Sequence, residues 1–194
     1  MYARLAPDRQ PRKWMLRARL ATGVIVNLAL PQPFGSFAPP YHRRLIGAID
    51  SNGDHRAEVF ASLHGGASVV SIAIFVIHRG RLRQVDFLGG DSPDENLVAV
   101  NGGVRHGNGA ECLDDGDGRF EIRLLAADSF RFSDGRRYDA EEVTFRWTGG
   151  ATLQQTGVRR RRGVPAPQSG SEPYIPGRYY RIRCGGFVTQ GEPA

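Results

Sequence analysis

The sequence predicts an all-β fold, built as an antiparallel meander of hairpins, and two observations carry this prediction. Short segments rich in β-branched and aromatic residues recur along the chain, and frequent glycine (25) and proline (12) residues mark turns between them. No segment shows a long apolar stripe at helical spacing. Short strands that follow one another through short turns favour antiparallel neighbours. A sandwich, a half-barrel and a propeller-like fragment all fit this pattern.

Individual strands can be placed from their patterns. Residues 69–77 are almost continuously apolar and β-branched, which predicts a strand buried on both faces. Segments 82–87, 119–124 and 143–147 alternate apolar and polar residues, as half-buried strands do. Two hairpins, 75–84 and 145–154, each have a glycine turn followed by a Leu-x-Gln return strand. This likeness indicates either a doubled hairpin plan or the general similarity of hairpins.

Composition divides the chain into four parts. Residues 1–38 are expected to be a signal peptide or a disordered N-terminal arm, because a basic stretch is followed by an apolar run at 20–30. That run is shorter than the ~20 residues that span a bilayer, so no transmembrane segment is predicted. Residues 39–162 form the β-meander domain, 163–177 a loop rich in Pro, Gly and Ser, and 178–194 a C-terminal strand and tail.

The net charge of +6 does not indicate a nucleic-acid binder. Residues 1–38 hold six basic side chains and one acid, whereas the remaining 156 residues hold 20 basic and 19 acidic side chains. Nucleic-acid binders keep their basic patch on the folded domain. The one basic run in the body, Arg159 to Arg162, follows a predicted strand, and we expect it to be a solvated loop.

The two cysteines, Cys112 and Cys184, form no Cys-x-x-Cys pair, so zinc sites and thioredoxin-type motifs lack support. In an oxidising compartment they would pair and close a loop of ~70 residues, worth about 4 kcal/mol in the chain-entropy model. The alternative is two unpaired thiols. Export and a disulfide together predict a secreted or cell-envelope location.

The most specific local signal is an acidic loop, Asp50-Ser51-Asn52-Gly53-Asp54-His55-Arg56-Ala57-Glu58. Oxygen-bearing side chains fall at positions 1, 3, 5 and 9, and Gly53 permits a positive φ inside the turn. Calcium is a hard cation that takes six to eight oxygen ligands. The pattern therefore indicates a calcium site, although Asn-Gly is also a favoured hairpin turn in its own right.

This loop resembles the calcium loops of FG-GAP and VCBS-type repeats, in which Asp-x-Asp/Asn-Gly-Asp-x-x-x-Asp is followed by apolar residues. The likeness covers about ten residues, in a single copy, and departs from the pattern at Glu58, where aspartate is usual. It implies a loop that joins two strands and holds calcium for structural purposes. The implied ligands are Asp50, Asn52, Asp54 and Glu58.

No catalytic motif is recognised in the sequence. None of the five histidines lies in a His-x-x-x-His arrangement, and the glycines at 102–109 lack the Walker lysine of a phosphate loop. Glu141 and Glu142 are neighbours on a predicted strand and should point to opposite faces. The alternative of a scattered hydrolase site would use His106, Glu111 and Asp114.

These observations favour an exported, non-enzymatic binding or structural module with a calcium-stabilised loop. Its expected partner is a protein or a glycan, its expected state is a monomer, and nucleic acid is not expected to bind. The alternative function is a secreted hydrolase whose site has no recognised motif.

Overall fold

The computed structural model describes residues 2–7, 14–30, 44–65, 69–103, 105–132, 136–169, 172–173, 175–185 and 187–190. Their regular secondary structure is β-strand, apart from two short 3-10 helices at Asp94–Asn96 and Gly177–Tyr180. The predicted all-β class is therefore confirmed. Across the described part of the chain, no helix is long and apolar enough to cross a membrane.

The described strands form one large sheet and two small ones. In chain order they are β1 (Tyr2–Pro7), β2 (Trp14–Arg19), β3 (Ile25–Ala29), β4 (Arg44–Ile49), β5 (Glu58–Gly65), β6 (Val70–His78), β7 (Arg81–Gln84), β8 (Asp86–Leu88), β9 (Val98–Gly103), β10 (His106–Asp114), β11 (Phe120–Asp128), β12 (Arg137–Gly149), β13 (Thr152–Pro165), β14 (Gln168–Ser169), β15 (Glu172–Pro173), β16 (Arg181–Cys184) and β17 (Phe187–Gln190).

The large sheet follows the order β4-β5-β6-β9-β10-β11-β12-β13-β8. Strand β7 pairs with β6, β16 pairs with β10, and β17 pairs with β16. Consecutive strands of this path are antiparallel hairpin neighbours in most cases, so the predicted meander is confirmed. Two pairs are parallel, β10 with β16 and β13 with β8.

Strand β6 is buried on both faces, as its apolar run predicts. Ile72, Ile74 and Val76 contribute to a first core, which is lined by side chains of β5, β6, β8–β13 and β16. The intervening Phe75 and Ile77 contribute to a second core on the opposite face. Both faces of the sheet are therefore buried at β6, which explains why apolar and polar residues do not alternate along this strand.

The second core corrects the expectation for the N-terminal segment. Strands β1, β2 and β3 form an antiparallel three-stranded sheet, so these residues are not a disordered arm. Leu16 and Ala18 are fully buried and pack with Phe75 and other side chains of β5 and β6. A leader that ended at residue 38 would take these core side chains with it. The predicted boundary at residue 38 lies outside the described residues.

The boundaries near the C-terminus also differ from the prediction. Strand β13 runs to Pro165, so the predicted loop 163–177 begins inside a strand, and β14 and β15 form a small hairpin within it. Beyond them, Ile175 and Tyr179 are buried in a third core with Leu125 and Tyr138. This segment covers the sheet face opposite to the first core, at β11 and β12.

Both hairpins that look alike in sequence are hairpins in the structure, β6–β7 and β12–β13. Their packing differs, however. Phe75 lies in the second core and pairs with Gln84, whereas Phe145 lies in the first core and pairs with Gln155 across a β-bulge. Their likeness does not extend to the side of the sheet on which they are buried.

Candidate functional site

The acidic loop joins β4 to β5, and its oxygens are engaged by its own backbone. One carboxylate oxygen of Asp50 accepts hydrogen bonds from the N–H groups of Gly53 (2.8 Å) and Asp54 (3.2 Å), and the other accepts from His55 N–H (2.8 Å). Asn52 Oδ1 accepts from Asp54 N–H at 2.9 Å. Gly53 takes a φ of +75°, which lets the turn close. These bonds hold the loop in one conformation.

Glu58 is turned into the protein, and its carboxylate faces Ser51 and Asn52. Its side chain is 1% exposed and accepts hydrogen bonds from Ser51 N–H (2.6 Å), Ser51 Oγ (2.8 Å) and Asn52 Nδ2 (3.0 Å). Burial raises the pKa of Glu58 to about 7; the bonds from Ser51 oppose this, and repulsion by Asp54 and Asp50 adds to it.

The four residues fit calcium by donor chemistry, since three carboxylates and an amide oxygen are hard ligands. They are not gathered around one point: among the described residues, no three Asp, Glu, His or Cys side chains are grouped to hold a metal ion. A cavity of about 250 Å³ lies beside the loop and is lined by Asn52, Asp54, Arg119, Trp147 and residues 148–150.

A second acidic cluster, residues 114–118, forms the turn of the β10–β11 hairpin. Asp114 accepts a hydrogen bond from Gly116 N–H at 2.8 Å. This turn lies against the first loop, because Phe120 N–H donates to Ser51 O at 2.9 Å. The two acidic turns are thus neighbours, which their separation in sequence did not reveal.

Cys112 and Cys184 are at disulfide-bonding distance, with Cα atoms 4.6 Å apart. They lie on the parallel strands β10 and β16, where Ala110 pairs with Ile182 and Glu111 with Arg183, so the next pair in register is the two cysteines. The bond therefore fixes the short C-terminal strand to the middle of the large sheet.

The three residues of the alternative hydrolase site do not meet. His106, Glu111 and Asp114 lie on one strand, β10, and a strand rises ~3.3 Å per residue, so they are spread along its length. Their contacts are separate: His106 stacks on Phe130, Glu111 accepts from Arg178 at 2.9 Å, and Asp114 caps its own turn. This particular triad is not assembled.

A groove that no sequence motif indicates runs along the face of the sheet that carries the first core. Its floor is a cross-strand row, Asn108–Ala126–Glu141–Arg160, in which each residue pairs with the next. The neighbouring row, Ala110–Leu124–Val143–Val158, still carries apolar residues. The groove begins where the apolar rows of the core give way to polar and small residues.

Two adjoining cavities make up this groove, of about 380 and 600 Å³, and they share Asn108, Ala126 and Glu141. Loop 91–97 forms one end. His106 and Phe130 form the other end. Phe130 is 58% exposed, and its ring stacks on that of His106 with the ring centroids 5.9 Å apart. An exposed aromatic ring at one end and polar groups along the floor are typical of a binding surface.

Three charged residues of the groove, Asp91, Glu141 and Arg160, are paired with one another. Arg160 bonds both Glu141 and, at 2.7 Å, Asp91, so it ties β13 to the loop at the end of the groove. Asp91 is held further by Gln155 through two reciprocal hydrogen bonds of 2.9 and 3.0 Å. The groove is therefore fixed in shape by its own ion pairs.

Glu141 and Glu142 point to opposite faces, as predicted. Glu142 is buried on the face away from the groove and binds Arg161 at 2.7 Å, with Arg178 at 3.8 Å. Together with the bond between Arg178 and Glu111, this ionic cluster around the buried Glu142 fastens the C-terminal segment to β10 and β12. Its role is structural.

The basic run is not a solvated loop, which corrects that expectation. Arg159 to Arg162 lie within β13, because opposite charges face each other across the strand pair: Glu141 is opposite Arg160 and Glu142 is opposite Arg159. Four consecutive arginines show no alternation of apolar and polar residues, so their sequence does not indicate a strand.

Comparison with known proteins gave no relatives: no family model, no curated protein and no solved structure matches this chain.

Proposed function

We propose that this chain is an exported, non-enzymatic module that binds a protein or glycan partner in the groove on the sheet. The observation that carries the proposal is the row Asn108–Ala126–Glu141–Arg160, where polar and small residues replace the apolar residues of the core and leave an open channel. Concave sites with a few fixed polar groups and an aromatic contact are the usual form of a ligand site.

The paired charges of the groove favour binding over catalysis. Arg160 is held by Glu141 and Asp91, and Asp128 accepts a hydrogen bond from Phe130 N–H at 2.6 Å. His106 is stacked on Phe130, and its Nε2 accepts from Gly103 N–H at 3.4 Å. Groups engaged in this way offer fixed donors and acceptors to a ligand and keep their shape without it.

The cysteine pair supports export. Disulfides persist in oxidising compartments and are rare in the cytosol. Cys184 is fully buried in the first core, so its bond to Cys112 is part of the packed structure. A secreted or cell-envelope location is consistent with such a bond.

The test compares two variants of matched chemistry. Ala126→Trp fills the groove at an exposed floor position, and Ala48→Trp places the same side chain at an exposed position of β4, away from the groove. Both proteins and the wild type are applied to arrays of envelope and host-surface glycans and of extracellular protein domains. We expect Ala126→Trp to lose the binding that the wild type and Ala48→Trp share.

Two outcomes contradict this proposal. If Ala126→Trp folds and binds as the wild type does, the groove is not the binding surface. If a bound glycan or protein is cleaved by the wild type and left intact by Ala126→Trp, the chain is the alternative hydrolase.

A calcium-stabilised acidic loop is the second part of the proposal. Asp50, Asn52 and Asp54 bring hard oxygen donors into one short loop, and a carboxylate has lone pairs beyond those that its backbone partners use. Glu58 completes the donor set of the resembled loops. A cation would offset the mutual repulsion of these three carboxylates, which contributes to the raised pKa of Glu58. Its role would be to stiffen the link between β4 and β5.

A further inference from the structure

We infer that the outer edge of β13, from Thr156 to Arg162, binds an extended acidic peptide segment that adds to the sheet as one more strand. This surface adjoins the groove, which it meets at Arg160 and Arg162, and the inference goes beyond the proposed function. Peptides that add to a sheet edge gain affinity from main-chain hydrogen bonds and specificity from alternate side chains.

The edge is long and unpaired in the described structure. Strand β13 has 14 residues, and only Thr152–Gln154 pair with β8 on its outer side. From Gly157 to Arg161 the inner side pairs with β12, while no other described strand pairs with the outer side. Residues 156–160 are all exposed, so both faces of this part of the strand are open to solvent.

The edge also carries positive charge that the protein does not neutralise itself. Arg160 and Arg161 are bound by Glu141 and Glu142, respectively. Arg159 and Arg162 are exposed and make no ion pair with any described residue. Successive residues of a strand point to opposite faces, so the four arginines place positive charge on both faces of the edge. A segment with consecutive acidic residues would meet an arginine whichever face each carboxylate takes.

Charge also argues against a second copy of this chain as the occupant. Two β13 edges that paired with each other in antiparallel register would set one arginine run against the other. Like charges directly opposite across a strand pair are destabilising. The same charges guard the edge against self-association, which is a common use of basic residues on edge strands.

The test uses a capped octapeptide with four central glutamates flanked by threonine and valine on each side, titrated against the whole chain. Two control peptides separate the contributions: one has glutamine in place of glutamate, and the other has the same acidic sequence with alternate N-methylated amides. We expect the acidic peptide to bind at least tenfold more tightly than either control. Hydrogen exchange should show new protection at every second amide between Gly157 and Arg161, since alternate amides face outward.

The protein variants give an independent measurement. Arg159→Glu/Arg162→Glu should weaken peptide binding at least tenfold, whereas Arg83→Glu, at an exposed position of β7, should change it less than twofold. The groove variant Ala126→Trp should bind the peptide normally, so failure here is distinct from failure of the groove proposal. Three results would each overturn the inference: equal binding of the N-methylated peptide, no peptide binding at all, or equally tight binding of a single-stranded oligonucleotide of matched charge.

Discussion

Glu58 and Ser51 hold the two ends of the acidic loop together. The Ser51 backbone N–H and hydroxyl both donate to one oxygen of the Glu58 carboxylate, at 2.6 and 2.8 Å, and both residues are buried. This bond joins the end of β4 to the start of β5, below the exposed turn at Asn52-Gly53. Glu58, which the sequence pattern predicts to be a metal ligand, thus accepts hydrogen bonds that hold the loop closed.

The raised pKa of Glu58 predicts that stability falls with increasing pH. The folded protein holds a proton on this group more tightly than the unfolded chain does, because the pKa is about 7 when folded against an ordinary 4.5. The stabilisation is therefore fully present below pH 4.5 and is lost as the pH rises through 7, by about 3 kcal/mol at most. Urea unfolding between pH 5 and 8 should show this slope, and Glu58→Gln should flatten it. An unchanged slope in Glu58→Gln would assign the pH dependence to other groups.

Calcium should raise the melting temperature if the acidic loop binds it. Removing one carboxylate should abolish the rise, so we expect Asp54→Ala to melt at the same temperature with and without millimolar calcium. Asp117→Ala, in the adjacent exposed turn, is the matched control, because it removes an equal charge nearby while leaving the four predicted ligands in place. A rise that survives Asp54→Ala, or one that Asp117→Ala removes equally, would contradict binding by this loop.

Strands could be predicted where burial leaves a local pattern in the sequence. Burial on both faces gives the continuous apolar run of β6, and burial on one face gives the alternation in β7, β11 and β12. Both patterns can be recognised from neighbouring residues alone. In β2, Leu16 and Ala18 alternate with Arg17 and Arg19, so the same signal was present. The basic stretch and the apolar run at 20–30 match a leader equally well, so the sequence alone does not separate the two interpretations.

Features that depend on distant partners could not be predicted. Arg160 belongs to a strand because Glu141 lies opposite it, and the groove exists because Asn108, Ala126 and Glu141 fall in one row across three strands. Register across strands decides both, and a single sequence does not specify register. The orientation of Glu58 could not be predicted either. Its spacing from Asp50 suits a metal ligand, but in the structure its carboxylate accepts hydrogen bonds from Ser51, seven residues earlier.

Loss of the cysteine pair should weaken the fold by about 2 to 5 kcal/mol. The double variant Cys112→Ala/Cys184→Ala removes a link across 72 residues and frees β16 from β10. Wild-type protein in reductant should lose stability to a similar degree in urea unfolding, and the double variant should be insensitive to reductant. Sensitivity of the double variant, or indifference of the wild type, would argue against a bond between these sulfurs.

Gly109 is required because the C-terminal segment crosses β10 closely at this point. A Cβ atom at Gly109 would lie 2.3 Å from Arg178 O and 2.9 Å from Arg181 O, and both are backbone atoms that cannot yield cheaply. Gly109→Ala should therefore cost about 1 to 3 kcal/mol or more, as overpacking does. Gly157→Ala is the control, since a Cβ there meets nothing within 4 Å. Equal stability of the two variants would mean that residues 178–181 do not pack against β10.

Substitutions in the N-terminal sheet distinguish the leader hypothesis from the observed fold, because the two predict different effects on stability. Leu16 is 0% exposed and packs in the second core with side chains of β5 and β6, whereas Ile25, on the neighbouring strand, is 53% exposed. If this sheet is part of the folded protein, Leu16→Ala should cost about 2 to 5 kcal/mol through lost burial and a cavity, and Ile25→Ala should cost well under 1 kcal/mol. Urea unfolding of the full chain measures both. A cleaved or disordered segment would leave the two variants as stable as the wild type, and the exposed face of β5 and β6 would then need another cover.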